Sequence, residues 1–149
     1  MKKLVTMLTA AVMLFSVFAF ATDSDNVNTR VKTAFSTDFS DASQVTWEKT
    51  SDFYFATFKL NHVEVNAAYN EQGDLVGTSR IVETSQLPLG VTLAISKRYE
   101  NYTISSTALE LTFEGETRYY ITIQNEKQVL KLKCSVNGGI QVEKKLKKA

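Results

Sequence analysis

Between Phe53 and Leu75 the chain alternates apolar and polar positions, and the same pattern returns 65 positions later, from Arg118 to Ile140. Tyr54 maps to Tyr119, Thr57 to Thr122 and Gly73 to Gly138. The triplet Val65, Ala67, Tyr69 maps to Leu130, Leu132, Cys134, and Leu75 maps to Ile140. Identity is thin, but the spacing of apolar positions and turns holds, and recurring spacing is the mark of a repeated structural unit. Ahead of the first copy, Val27, Val31, Ala34 and Phe35 form the stripe of a short amphipathic helix, with Thr22–Asn26 able to supply its N-cap. The period then changes to two. Strands are predicted at Val45–Trp47, Phe53–Leu60, Val63–Tyr69 and Leu75–Val82, joined by turns at Ser51-Asp52, Asn61-His62 and Gly73.

The second copy opens at Leu87-Pro88, with proline suited to the first helical position. Val91, Ile95 and Tyr99 give its helical stripe. Strands follow over Tyr102–Glu114, Thr117–Gln124, Gln128–Val136 and Ile140–Leu146, and the apolar phase of the first shifts between Ile104 and Leu109, predicting a bulge near Ser106-Thr107. The pattern is α+β: two repeats, about 26–82 and 87–146, each a helix plus a four-stranded antiparallel meander. Glu83–Gln86 is too short for a flexible linker, so residues 22–149 are expected to form a single domain.

Residues 1–21 stand apart. Lys2 and Lys3 precede an almost wholly apolar Leu4–Phe20, and Ala19-Phe20-Ala21 has the small-residue form of a cleavage site, so a secretory signal peptide cut after Ala21 is expected. The chain carries 17 basic and 16 acidic residues; losing Lys2 and Lys3 leaves 15 basic groups and a formal charge of −1. Neither nucleic acid nor a membrane surface is indicated by that balance, and no stable membrane span is expected after cleavage. Export places the protein in the periplasm or outside the cell. Cys134 is the only cysteine, which forbids an internal disulfide, and alternation puts it beside Leu130 and Leu132 as a buried thiol.

The opening Phe35-Ser-Thr-Asp-Phe39, Asp41-Ala42 and Val45-Thr46-Trp47 resembles that of the PepSY-like, β-lactamase-inhibitor-protein-like (BLIP-like) family of exported bacterial proteins. So do Tyr69-Asn-Glu-Gln-Gly73-Asp74-Leu75 and Leu87-Pro88 ahead of a helix ending in Tyr99 and Tyr102. The resemblance covers roughly residues 30–145 and implies two helix-plus-meander repeats joined in one curved sheet, helices on one face and the other face free to grip a partner. Family members of known role inhibit or regulate other proteins. This chain lacks the cysteine pairs of the namesake inhibitor, so that inhibitor's particular target is not carried over.

Catalytic chemistry finds little support. His62, the only histidine, falls in a turn, and neither G-x-S-x-G, H-E-x-x-H nor a glycine-rich phosphate loop occurs. One histidine and one cysteine do not make a zinc site, and no cofactor is expected. The chain reads as a non-enzyme. Parity places Tyr54, Ala56, Phe58, Tyr119, Ile121 and Ile123 under the helices. The opposite row would hold Phe53, Phe55 and Tyr120, with Arg80 and Lys131 among the fourth- and third-strand residues. Aromatics and cations on an open sheet face are what protein interfaces enrich. These five residues are the candidate binding site for an unidentified envelope or extracellular protein, held by occlusion. The alternative is a carrier of a small ligand or lipid, with the aromatics lining a pocket between helices and sheet. The lysines from Lys127 onward suit either an acidic partner or a guarded sheet edge.

Overall fold

The computed structural model describes residues 26–148, so the predicted signal peptide lies outside the described residues. Elements follow in the order α1 (Thr29–Asp38), β1 (Ser43–Lys49), β2 (Tyr54–Leu60), β3 (Val63–Tyr69), β4 (Leu75–Glu83), a 3-10 turn (Thr84–Gln86), α2 (Leu89–Arg98), β5 (Thr103–Phe113), β6 (Glu116–Gln124), β7 (Gln128–Ser135) and β8 (Ile140–Lys147). The eight strands form one antiparallel sheet in sequence order, with β1 and β8 at its edges. By internal contacts the described chain divides into a first unit, 26–80 with 112–115, and a second, 81–111 with 116–148.

In the first unit, the N-cap of α1 is Asn28 rather than a residue of the predicted Thr22–Asn26 segment. The Asn28 side-chain oxygen accepts a hydrogen bond from the Val31 N–H at 2.9 Å, satisfying one of the free donors of the first turn. Its amide group also donates to the Glu71 carbonyl at 3.0 Å, tying the helix start to the β3–β4 hairpin. Val31 and Phe35 from α1 are buried with Trp47, Tyr54, Ala56, Phe58, Val65, Ala67 and Tyr69. Phe35 stacks edge-on to Trp47 and Phe58, with ring centroids 5.1 and 5.0 Å away, the geometry favoured by aromatic quadrupoles. Tyr69 donates to the Asp38 carboxylate at 2.8 Å, so its burial leaves no orphan hydroxyl.

In the second unit Pro88 is the N-cap of α2, one residue before the predicted position. Lys97 and Arg98 close the helix, where positive charge suits the dipole. Val91 and Ile95 pack with Val82, Ala108, Tyr119, Ile121, Ile123, Leu130, Leu132 and Cys134. Ile104 packs against the same cluster as Ala108. Ala108, rather than Leu109, therefore joins the helix-side row, while Leu111, of opposite parity, is also fully buried. Cys134 is fully buried and free, and burial pushes its thiol up to about 11.

Candidate sheet-face binding site

Strand register decides which side chains share the face away from each helix. In the first unit Phe55 lies opposite Glu48 on one side and Ala68 on the other, and Ala68 lies opposite Gly77. A Cβ on Gly77 would come within 2.9 Å of the Thr112 carbonyl oxygen and 3.1 Å of the Phe113 ring. Only glycine leaves room there beside Thr112 and the Phe113 ring. The next row, Thr46, Thr57, Asn66 and Ser79, is polar, and Thr57 donates to Asn66 at 2.7 Å.

This geometry corrects two of the five site expectations. Phe55 is only 8% exposed although it lies outside the helix-side core. The small residues Ala68 and Gly77 follow it along the row, and Phe53 packs against it edge-on with ring centroids 6.3 Å apart. Phe53 stays half-buried and Phe55 is covered. Arg80, in turn, is exposed but lies opposite Val65, a core residue, and so belongs to the helix-side row. The register shift between Ala68 and Tyr69 is the cause: Gly77 faces Ala68 while Leu75 faces Tyr69, leaving Val76 as an extra residue and inverting parity along β4. Thr78 moves with it, opposite Ala67.

In the second unit the outward row of β6 runs Arg118, Tyr120, Thr122, opposite Ser135, Lys133 and Lys131 of β7. Tyr120 and Lys131 thus share one face, Tyr120 half-buried and Lys131 exposed. A second register shift, between Lys131 and Leu132, makes Glu143 the extra residue of β8 and sets Lys144 opposite Lys131, while Lys145 moves to the core row opposite Leu130. Glu143 approaches the Lys133 ammonium at 3.6 Å, and Arg118 is bridged to Glu116 at 2.7 Å. The Tyr120 hydroxyl is buried with no hydrogen-bond partner among the described residues. Burial, and next the Glu143 carboxylate, push its pKa up to about 12, with Arg118 pulling the other way.

Lys133 follows Lys131 on the outward row of β7, and Arg118 lies one step before Tyr120 on that of β6. What alternation could not find is that Arg118, Lys133, Ser135 and Gln141 line one cavity of about 270 Å³. A second cavity, about 590 Å³, is lined by Asn101, Thr103, Gln124, Asn125, Lys127 and Lys148 among others, a polar set. No group of His, Cys, Asp or Glu among the described residues is arranged to hold a metal ion, and no described helix is long and apolar enough to cross a membrane.

No family model matches the chain, and no curated protein is similar enough in sequence to count as a relative. Solved structures do match. A BLIP-like protein of Bacteroides fragilis superposes with a TM-score of 0.66 at 19% identity, covering 82% of this chain and 88% of its own. A DUF2874 family protein of Bacteroides uniformis gives 0.65 at 14% identity, covering 80% and 88%. A Bacteroides eggerthii protein, provisionally described as periplasmic, gives 0.64 at 16% identity, covering 87% and 90%. At these identities the likeness speaks for the fold, which is that of the BLIP-like proteins, as the sequence resemblance led one to expect.

Proposed function

We propose that this chain, built on the BLIP-like fold, is an exported, non-catalytic module that binds another protein of the envelope or the medium and acts by occlusion, as an inhibitor or regulator. The observation that carries this reading is the outward sheet face itself. In the first unit it carries Phe53, and in the second Tyr120 and Lys131 with a cation-rich β7–β8 surface, each set outside its own unit's helix-side core. Half-buried aromatics beside exposed cations make a surface with large contact area and low ordering cost. Phe55 packs edge-on against Phe53, and Arg80, in the helix-side row, is left out of the face.

The module is best read as one domain of two copies of a single unit. In support, Gly73 and Gly138 have matching φ of +87° and +85°, and each backs onto the helix of its own unit. A Cβ on Gly73 would lie 3.1 Å from the Arg30 carbonyl oxygen and 3.6 Å from Ala34. One on Gly138 would lie 2.5 Å from the Gly90 carbonyl oxygen and 3.2 Å from Ala94. Both helices end alike, with Phe39 and Tyr99 N–H groups bonded to Phe35 and Ile95 carbonyls at 2.9 Å.

The ligand-carrier alternative draws less support. Phe53 and Phe55 lie away from the helix, and the space beneath each helix is filled by side chains such as Val31, Val91, Ile123 and Leu132, all fully buried. The test is capture from envelope extract of the source organism, using the purified chain beside a Phe53→Ser/Lys131→Glu variant that melts normally. Retention of a protein by the wild type alone supports the face as an interface. Equal capture by both, with a small molecule carried through native mass spectrometry, would overturn the reading in favour of the carrier.

A further inference from the structure

The second unit's outward face is electrostatically unbalanced. Lys131 and Lys144 stand directly opposite one another across β7 and β8, and no carboxylate among the described residues pairs with either. Like charges in that position repel. In the next row Lys133 is nearly buried, its side chain 10% exposed, yet its contact with Glu143 is 3.6 Å, long for a charge-assisted hydrogen bond. Its ammonium keeps donors to spare, since it has three. Arg118 uses one nitrogen on Glu116 and another on the Thr117 carbonyl, and a guanidinium has five N–H groups in all. Ser135 accepts from the Gly139 N–H at 3.0 Å, which leaves its own O–H to give. Lys133, Arg118, Ser135 and Gln141 converge on the cavity of about 270 Å³, and the unpartnered Tyr120 hydroxyl sits in the cross-strand pair with Lys133.

We propose that this cavity receives a side-chain carboxylate from an acidic segment of the partner protein, with Lys133 and Arg118 as charged receptors and Ser135 and Gln141 as flanking donors. The inference rests on the protein-binding reading of the face and gives the partner its chemistry. An entering carboxylate takes over the ammonium that Glu143 holds loosely, and further acidic residues of the segment relieve the Lys131–Lys144 repulsion. A neutral amide could accept the same hydrogen bonds but would leave the facing Lys131 and Lys144 without a counter-charge.

The probe is a capped hexaglutamate peptide, with capped hexaglutamine as its neutral counterpart, titrated into the purified chain by calorimetry and followed at the lysine and arginine side chains by NMR. Hexaglutamate should bind with shifts at Lys133 and Arg118, hexaglutamine should not, and added salt should weaken the binding. Lys133→Gln should lower affinity about tenfold and Lys133→Arg should restore it, the loss expected for one hydrogen-bonded charge. Arg118→Gln provides a second variant should Lys133→Gln fail to fold. Equal binding of the two peptides, no binding of hexaglutamate, or unchanged affinity in the charge-removing variants would overturn the proposal. So would binding to phosphatidylglycerol vesicles without binding to the peptide. A captured protein that is lost with Phe53→Ser/Lys131→Glu yet held by Lys133→Gln would leave the face as an interface and sink the carboxylate site alone.

Discussion

Replacing Tyr120 by phenylalanine should make the protein more stable, whereas the same replacement at Tyr69 should weaken it. Both are core-adjacent tyrosines on second or third strands of their units. Tyr69 donates to Asp38 at 2.8 Å, but the Tyr120 hydroxyl is buried with no partner among the described residues. A buried polar group without a partner costs about 1–3 kcal/mol of desolvation, while a hydrogen bond to a charged group contributes about 1.5–3 kcal/mol. Tyr120→Phe removes a cost and keeps the ring packing, for a gain of about 1 kcal/mol at the low end of that range. Tyr69→Phe forfeits its bond, softened because Asp38 is exposed and regains water, for a loss of about 1–2 kcal/mol. At this chain length 1 kcal/mol moves the melting temperature by about 3–5 °C. The assay is thermal or urea unfolding of the three proteins under identical buffer. If Tyr120→Phe melts as far below wild type as Tyr69→Phe does, the Tyr120 hydroxyl is partnered in the free protein and the reasoning fails. A stabilised Tyr120→Phe would also identify the hydroxyl as one kept at a cost to stability, the pattern expected of a group held for a partner.

Further outcomes can be checked on the same preparation. Gly138→Ala should cost clearly more than Gly115→Ala. Both residues have positive φ, but a Cβ on Gly138 meets the Gly90 carbonyl oxygen at 2.5 Å while one on Gly115 meets nothing within 4 Å; the backbone term alone is about 1–2 kcal/mol, and equal losses would remove the helix–hairpin contact from the account. Cys134, with its thiol pushed up to about 11 by burial, should resist iodoacetamide at pH 8 in the folded protein and react once urea unfolds it, because only the thiolate attacks; rapid labelling of the folded chain would contradict its burial. Stability should fall with alkali. Tyr120 is raised from 10.0 to about 12 and Cys134 from 9.0 to about 11, so the unfolded chain loses these protons first. Their contribution is whole below the unfolded values and drains away as pH climbs through the folded ones. Urea midpoints that stay level from pH 8.5 to 11.5 would refute this.

Much of the fold was legible because local periodicity states which side chains share a side. Val63–Tyr69 was read to the residue, and Trp47, Cys134 and the Val31–Phe35 stripe all lie where burial demands. The turns were equally plain: Gly73 and Gly138 take the positive φ that other residues avoid. Helix starts were less so, since Asn28 and Pro88 hold cap positions that several neighbours could have filled.

The candidate site was legible only in part. Phe53, Tyr120 and Lys131 follow from alternation along unbroken stretches of strand, where each step of one residue turns the side chain to the other face. The placement of Arg80, the cover over Phe55 and the meeting of Glu143 with Lys133 were decided by tertiary structure. Each depends on other strands: a register shift opposite Ala68–Tyr69, the small residues Ala68 and Gly77 in the row of Phe55, and a second shift opposite Lys131–Leu132. A one-residue slip in pairing leaves every local pattern intact and moves a whole row to the other face. The sequence therefore determined which residues form strands and which small set is apolar enough to be core, because those follow from short-range spacing. Which charges face one another was decided only when distant strands came into register, because that pairing is a property of two segments and is written in neither alone.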